Sequence, residues 1–456
     1  MLVLRLRLLY GSMAWFSEAT YKKTFDIWRV AQNAASRLLL GAFRTSPIPI
    51  VQHDAYLTPF HLAATRLQFQ FLAKRLTAPS THPTRKFIQF ELESQPRSHK
   101  GPIHLLLQRD FFDTLHPKNF EIIVPHPTPP WLTRLGEVRN LELNRKEAKT
   151  KITKQIEEEE KDGAMVLFTD GSAIPGTGCG TAMVLNEMVR NGSLGPADEI
   201  SNFEAEIMGL SMALNEALRT ATENMLPPTG AAIFCDNQAA MQSVNDPPSY
   251  RSGQYLAVAV REIAEQLPAD FRLRFYWTPG HENIELNERA DAAAKEAAEE
   301  QDDPLILRSS LGILLQRIKA HFNIRKYNFN PGRSFLTSAP KKIADSLSSL
   351  EKGHAAVIFQ LRSDHNSLNA YLNRFNLSDS DLCATCKVPE TTTHFLLHCK
   401  RFNTQRQNFR HKVKKEKIKI NLHSTKALLD TLAIFPFLAD FVLHTKRFTF
   451  FVSYLT

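Results

Sequence analysis

Residues Met165-Val-Leu-Phe-Thr-Asp170-Gly-Ser172 constrain this chain more than any other segment. A run of β-forming apolar residues ends abruptly in an aspartate followed by a turn-forming glycine. Three further carboxylates recur downstream in compatible settings. Glu206 stands in Asn202-Phe-Glu-Ala-Glu206-Ile-Met-Gly-Leu210, which reads as a helix start. Asp236 ends a second apolar run, Ala231-Ala-Ile-Phe-Cys-Asp236-Asn-Gln238. Asp291 follows in Trp277-Thr-Pro-Gly-His281-Glu-Asn-Ile-Glu-Leu-Asn287-Glu-Arg-Ala-Asp291. Two strand ends and two helices would deliver four carboxylates to one place. Hard divalent cations take oxygen ligands, so the expectation is a cage for two Mg²⁺ ions, with Mn²⁺ as the alternative. Asp170 would bridge the ions because a strand end is rigid, and Asp291 would serve the more adaptable position. His281, on a Pro-Gly loop, is suited to shuttling a proton, or is a plain loop histidine.

The secondary-structure signals around these residues alternate. Strands are predicted at 165–169, 179–186, 188–194, 231–235 and 271–277. Helices are predicted at 202–222, from Asn237, at 250–266 and at 285–300. Five strands, the first three antiparallel, with helices after them, give an α/β layered domain.

The order of these motifs resembles the type 1 ribonuclease H domain over roughly residues 163–300. That resemblance implies a five-stranded mixed sheet with flanking helices and hydrolysis of the RNA strand of RNA–DNA hybrids. It implies that Asn202 and Gln238 read 2′-hydroxyls of the RNA strand, where the bland alternatives are an N-cap and an exposed helix residue. It assigns His281 to product release or water activation. Relatives carry a glycine before the asparagine where this chain has Leu286-Asn287, and a polar residue where it has Phe203. They also carry a basic insertion that is missing between residues 245 and 271.

Charge is distributed unevenly along the 456 residues. Segment 1–162 carries net +8, segment 163–300 carries −12 and segment 301–456 carries +13. An acidic metal-binding module between two basic ones suggests flanks that attract RNA or DNA phosphates; plain surface solubility is the alternative. Residues 1–150 read as a helical region, including an amphipathic helix from Tyr21 to Phe43 with Ala31, Ala34, Ala35, Leu38 and Leu39 on its apolar side. Residues 151–162, ending in Glu157-Glu-Glu-Glu160, read as a charged linker. Residues 301–456 read as a mostly helical basic region. No apolar run is long enough to span a membrane, and no secretory leader is evident, so the expectation is an intracellular protein.

Five cysteines do not suggest a disulfide framework. Cys179 and Cys235 fall in predicted strands, as small buried apolar residues. Cys383-x2-Cys386-x7-His394-x4-Cys399 has the spacing of a structural zinc module over 383–399. His398 could replace His394, and free cysteines are the alternative. Its basic neighbours, among them Lys400, Arg401, Arg406 and Lys412 to Lys419, suggest a phosphate-facing surface or a nuclear import signal, against a solvated helix. The nucleus is the expected location.

A wider, looser resemblance runs through Leu9-Tyr10-Gly11, Gly41-Ala-Phe-Arg-Thr45, Gln360-Leu-Arg362 with His365, Leu368-Asn-Ala-Tyr-Leu372, the Cys/His cluster and Thr445-Lys-Arg-Phe448. This order looks like the carboxy-terminal part of a fungal-type non-LTR retrotransposon polyprotein. Residues 1–150 would then be the region that follows a polymerase palm, and a separate reverse transcriptase would be a partner. The rival expectation is a catalytically idle nucleic-acid-binding remnant.

Overall fold

The computed structural model describes residues 9–17, 22–93, 101–108, 111–112, 119–129, 131–142, 145–223, 228–280, 282–300, 304–305, 307–322 and 340–448. The chain divides into two compact units. One is Gln68–Ala320, and the other joins Met1–Leu67 with His321–Thr456. This division differs from the consecutive segments expected from sequence. The terminal unit has 29 basic and 12 acidic residues, net +17, and the central unit is net −8.

The central unit is built on a six-stranded mixed sheet. Its strands are β1 (Glu137–Arg139), β2 (Met165–Ala173), β3 (Cys179–Leu185), β4 (Met188–Gly195), β5 (Gly230–Cys235) and β6 (Arg272–Trp277). The order across the sheet is β1-β6-β5-β2-β3-β4. β2, β3 and β4 form an antiparallel meander, while β2, β5, β6 and β1 run parallel. Period-2 alternation sends Val166 and Phe168 of β2 to one face, and Met165 and Leu167 to the other. On the first face, Phe168, Phe234 and Tyr276 stack with centroids 4.6 and 4.7 Å apart. On the second, the helices Asn202–Glu223, Gln238–Asn245 and Gln254–Ala264 cover Leu167, Ile233 and Phe275. Cys179 and Cys235 are fully buried, as expected of small apolar residues.

The five-stranded expectation is corrected by β1, three residues that pair in parallel with Arg274–Tyr276 at the sheet edge. Three residues carry no readable periodicity, and only the open edge of β6 recruits them. The linker expectation for 151–162 is also corrected. These residues lie in a helix, Arg145–Lys161, and its tail. Ala148 and Ile152 are buried against the Phe168 face. Within the acidic run Glu159 is buried, 2.5 Å from the Arg274 guanidinium and accepting a hydrogen bond from the Tyr276 hydroxyl. A charge run is solvated only until one member finds a buried partner.

The segment before β1 is strapped onto the same unit. Glu121 is fully buried and accepts from the backbone N–H groups of Gly253 (2.9 Å) and Leu311 (2.5 Å) and from the Ser252 hydroxyl. Gln254 exchanges two hydrogen bonds with the Val124 backbone. Asn245 receives Leu135 N–H on its carbonyl and Gly136 N–H on its side chain.

In the terminal unit, residues from both ends share one core. Leu40, Ile50 and Val51 pack with Ile358, Phe359, Phe395, Phe435 and Phe441. Arg362, fully buried, pairs with fully buried Asp54 at 2.7 Å and donates to the Leu429 carbonyl. Helix Lys22–Leu40 reverses the expected facing. Leu38 and Leu39 are 66% and 52% exposed, and Ala31 and Ala34 are exposed, whereas Gln32, Asn33, Ser36 and Leu40 are inside. The buried polar side chains find partners: Gln32 donates to the Thr58 carbonyl, Asn33 accepts from Gln52, and Ser36 donates back to the Gln32 carbonyl, while Gln32 Oε1 is left without one. Hydrogen bonding thus decides which stripe faces inward. No described helix is long and apolar enough to cross a membrane.

Candidate metal and catalytic centre

The register of two neighbouring strands creates the site. Thr169 of β2 pairs with Cys235 of β5, so Asp170 and Asp236 are the next residues on adjacent parallel strands. Strands stand about 4.8 Å apart, and the two carboxylates are held side by side. Glu206 reaches them from the first turns of the Asn202–Glu223 helix. One carboxylate oxygen from each of Asp170, Glu206 and Asp236 lies within 4.8 Å of the others. Asp170 and Glu206 are buried and Asp236 is half-buried.

Close backbone contact makes this approach feasible. A Cβ on Gly171 would fall 2.4 Å from the Glu206 nitrogen, so only glycine lets the helix lie this near the strand. A Cβ on Gly280 would lie 2.8 Å from Asp236 Oδ2, which places the Pro-Gly loop against that carboxylate. Trp277 Nε1 donates to the Asp236 carbonyl at 2.9 Å and ties β6 to the same corner.

Crowding raises the carboxylates' proton affinity. Burial first, and then the charges of Asp236 and Asp291, push Asp170 up to about 8. Burial, followed by Asp170 and Asp236, lifts Glu206 well above the usual carboxylate range. Burial raises the Cys235 thiol as well, with the Glu206 charge second, and its Sγ lies 3.9 Å from Glu206 Oε2. Oxygen donors clustered with unrelieved negative charge fit a hard divalent cation.

Asp291 stands apart from this triangle. It rises from helix Glu285–Glu300, is close enough to act electrostatically on Asp170, and is paired with Lys295 at 2.6 Å. His281 lies outside the described residues. The loop after it turns at Asn283, left-handed at φ 56°, and Leu286 already lies in the helix Glu285–Glu300. Ile284 and Leu286 then pack on the Phe168 face.

Asn202 is not the helix cap. Ser201 and Glu204 form a reciprocal capping box, with Ser201 N–H donating to Glu204 Oε2 and Glu204 N–H to Ser201 Oγ. The spacing Ser-x-x-Glu carried that signal, which the sequence reading passed over. Asn202 is instead exposed and donates to Glu206 Oε1 at 3.4 Å. Gln238, half-buried, donates to the Leu141 carbonyl at 3.0 Å. Asn237, where a helix start is expected, caps that helix by accepting from Ala240 N–H, and it also hydrogen-bonds Glu206, a contact the sequence does not signal.

A second group of metal-ligand type lies in the terminal unit. Donor atoms of Cys383, Cys386, His394 and Cys399 all lie within 4.8 Å of one another. Cys383 and Cys399 sulfurs are 3.8 Å apart, too far for a disulfide and near the edge of a tetrahedron with metal–sulfur bonds of about 2.3 Å. Cys383 and Cys386 flank a tight turn in which Lys387 is left-handed at φ 60° and its N–H donates to the Cys383 carbonyl. His394 opens a short π-helix, and its Nε2 is buried without a hydrogen-bond partner. A buried, orphaned ring nitrogen facing three sulfurs fits a zinc ion. The exposed His398 is not in the group.

Arg406 is corrected from the expected phosphate-facing set. It is buried and donates to the carbonyls of Phe395, Leu396 and Cys399, holding the ligand-bearing turn. Lys412 pairs with Asp440 at 2.6 Å, while Lys400, Arg401, Lys414, Lys415, Lys417 and Lys419 are exposed.

The chain is similar to LC11-RNase H1, a protein isolated from compost by a metagenomic approach, at 19% identity. That match covers 30% of this chain and 96% of the other, with a TM-score of 0.25. The structure of LC11-RNase H1 in complex with an RNA/DNA hybrid is matched at 19% identity over 29% of this chain and 96% of that one, with a TM-score of 0.23. No curated protein matches. A family model described as RNase H matches residues 162–299, the stretch that holds β2 to β6 and all four carboxylates, and the chain therefore carries an RNase H domain there.

Proposed function

We propose that residues 162–299 hydrolyse the RNA strand of RNA–DNA hybrids, leaving 5′-phosphate and 3′-hydroxyl ends. The observation that carries this reading is the buried oxygen triangle of Asp170, Glu206 and Asp236 within 4.8 Å. Those three residues would hold one divalent cation, and Asp291, released from Lys295, would join Asp170 around a second. Bound Mg²⁺, or Mn²⁺, supplies the positive charge that lets the carboxylates ionise together and that offsets charge growing on a phosphodiester under attack. Asp170, within β2, and Asp236, just past β5, would fix where the cation is held. Asn202 and Gln238 face substrate as amide donors and acceptors for 2′-hydroxyls. His281 moves a proton at the edge of the site.

The net +17 of the terminal unit supports RNA or DNA binding outside the hydrolytic site. With Zn²⁺ held by Cys383, Cys386, His394 and Cys399, that unit is read as a nucleic-acid-binding module of a retrotransposon-derived protein. It would work in the nucleus beside a reverse transcriptase.

Cleavage of a labelled RNA–DNA hybrid by the full chain with Mg²⁺ tests the reading. Asp236→Asn is expected to abolish cleavage while keeping hybrid binding. Undiminished cleavage by that variant would sink the assignment. Hybrid binding without cleavage by the unmodified chain would favour the idle binding remnant.

A further inference from the structure

The terminal unit contains a cleft of about 560 Å³ that plays no part in hybrid hydrolysis. Phe43, Thr45, Tyr371, Phe375, Leu377 and Arg447 line it. Its rings form a fixed series. Tyr371 lies 5.9 Å from Phe43 and 5.1 Å from Phe375, centroid to centroid. The Tyr371 hydroxyl is bonded to His365 Nδ1 at 2.8 Å and to the Thr45 hydroxyl, which locks its ring plane.

The outer edge is apolar and open. Phe375 is 43% and Leu377 71% exposed. This exposure is not a frayed end. Leu377 N–H donates to the Leu372 carbonyl and Asn376 N–H to the Asn373 carbonyl, both at 3.0 Å. Asn376 takes the left-handed conformation at φ 55°, and Asn373 donates to the Ser378 carbonyl. The turn is therefore built to hold an aromatic ring outward.

Cations neighbour the rings in sequence. Arg44, Arg374 and Lys446 are exposed and adjoin, in sequence, the lining residues Phe43, Phe375 and Arg447. Arg447 is itself fixed by Glu390 at 2.6 Å and Asn369 at 2.9 Å. Asp379 is the acidic residue on the same turn. Aromatic faces interleaved with cations, in a unit of net +17, match an anionic chain that can splay out flat rings. A paired duplex hides its base faces, whereas a single strand offers them. A purely apolar partner would gain nothing from the cationic rim.

We propose that this cleft is a stacking site for an unpaired base of single-stranded RNA or DNA. It is independent of the hydrolytic reading, because it shares no residue with the carboxylate centre.

The test is fluorescence anisotropy of the full chain with labelled oligouridylate and, separately, oligothymidylate, each against a duplex hairpin competitor. Phe375→Ala should weaken single-strand binding about tenfold in at least one arm, the difference between arms showing whether RNA or DNA is preferred. Arg374→Gln should flatten the salt dependence by about one unit of log–log slope. Hybrid cleavage should stay unchanged in both variants. Phe375→Trp should keep the affinity, and its indole emission should be quenched on saturation. If Phe375→Ala lowers the melting temperature, that Phe375→Trp emission decides on an intact fold. Unchanged affinity in well-folded Phe375→Ala, or Phe375→Trp emission that ignores both oligonucleotides but responds to an apolar amphipathic peptide, would overturn the proposal.

Discussion

Gly171 and Glu206 are in backbone contact so close that a Cβ on the glycine would fall 2.4 Å from the glutamate nitrogen. The distance between the Asp170 strand and the Glu206 helix is thus set by the absence of one side chain. Gly171→Ala is expected to push that helix outward, separate the carboxylates and weaken Mg²⁺ binding. The overpacking should destabilise the chain by about 1–3 kcal/mol. Calorimetric Mg²⁺ titration beside thermal melting checks both effects, and unchanged metal affinity would contradict the geometry.

The raised proton affinity of Asp170 makes metal-free stability depend on pH. Its folded pKa of about 8 lies above the ordinary aspartate value of 3.8, so the folded state binds the extra proton. Stability contributed by that proton is present at low pH and is lost as pH rises. Metal-free protein should melt at progressively lower temperature between about pH 5 and pH 8. Asp170→Asn should flatten the slope, and saturating Mg²⁺ should reverse it, since the cation needs the deprotonated form. A metal-free melting temperature that rises over this range would refute the sign.

On the reading that Cys383, Cys386, His394 and Cys399 hold Zn²⁺, its removal should disturb more than the ligand-bearing turns. Cys383 and Cys399 belong to the same apolar core as Leu40, Ile50, Val51, Phe435 and Phe441. Chelation is therefore expected to loosen the whole terminal unit rather than residues 383–399 alone. Hydrogen exchange would report it as lost protection in the helices Ile48–Asp54 and Phe435–His444. Protection lost only around 383–399 would show those turns to be energetically separate.

Asp54 and Arg362 form a fully buried ion pair between segments about three hundred residues apart in sequence. Asp54→Ala leaves a buried guanidinium without its carboxylate and should cost about 3–5 kcal/mol. Urea denaturation followed by near-ultraviolet circular dichroism measures it. A loss well under about 1 kcal/mol would mean that water or Asp430 takes over the charge.

Read alone, the sequence already marked the carboxylate centre. Asp170, Glu206 and Asp236 were legible because each follows a local pattern, a strand end or a helix start, that needs no partner to be recognised. Strands expected at 165–169, 179–186, 188–194, 231–235 and 271–277 were legible for the same reason, as were the buried Cys179 and Cys235 and the Cys/His spacing, but the first strand runs past Asp170 to Ala173 because β3 pairs with it that far. Period and turn chemistry are encoded within a dozen residues.

Tertiary contact decided the rest. Nothing local distinguishes Glu159, buried on Arg274, from the solvated glutamates beside it. The three residues of β1 become a strand only because β6 leaves an edge open. Helix Lys22–Leu40 hides its amides and shows its leucines because Gln52 and Thr58 arrive to satisfy them. The joining of both chain ends into one unit rests on Asp54 meeting Arg362 and on a shared core. A partner distant in sequence leaves no periodic trace, so those pairings exist only once the chain has folded.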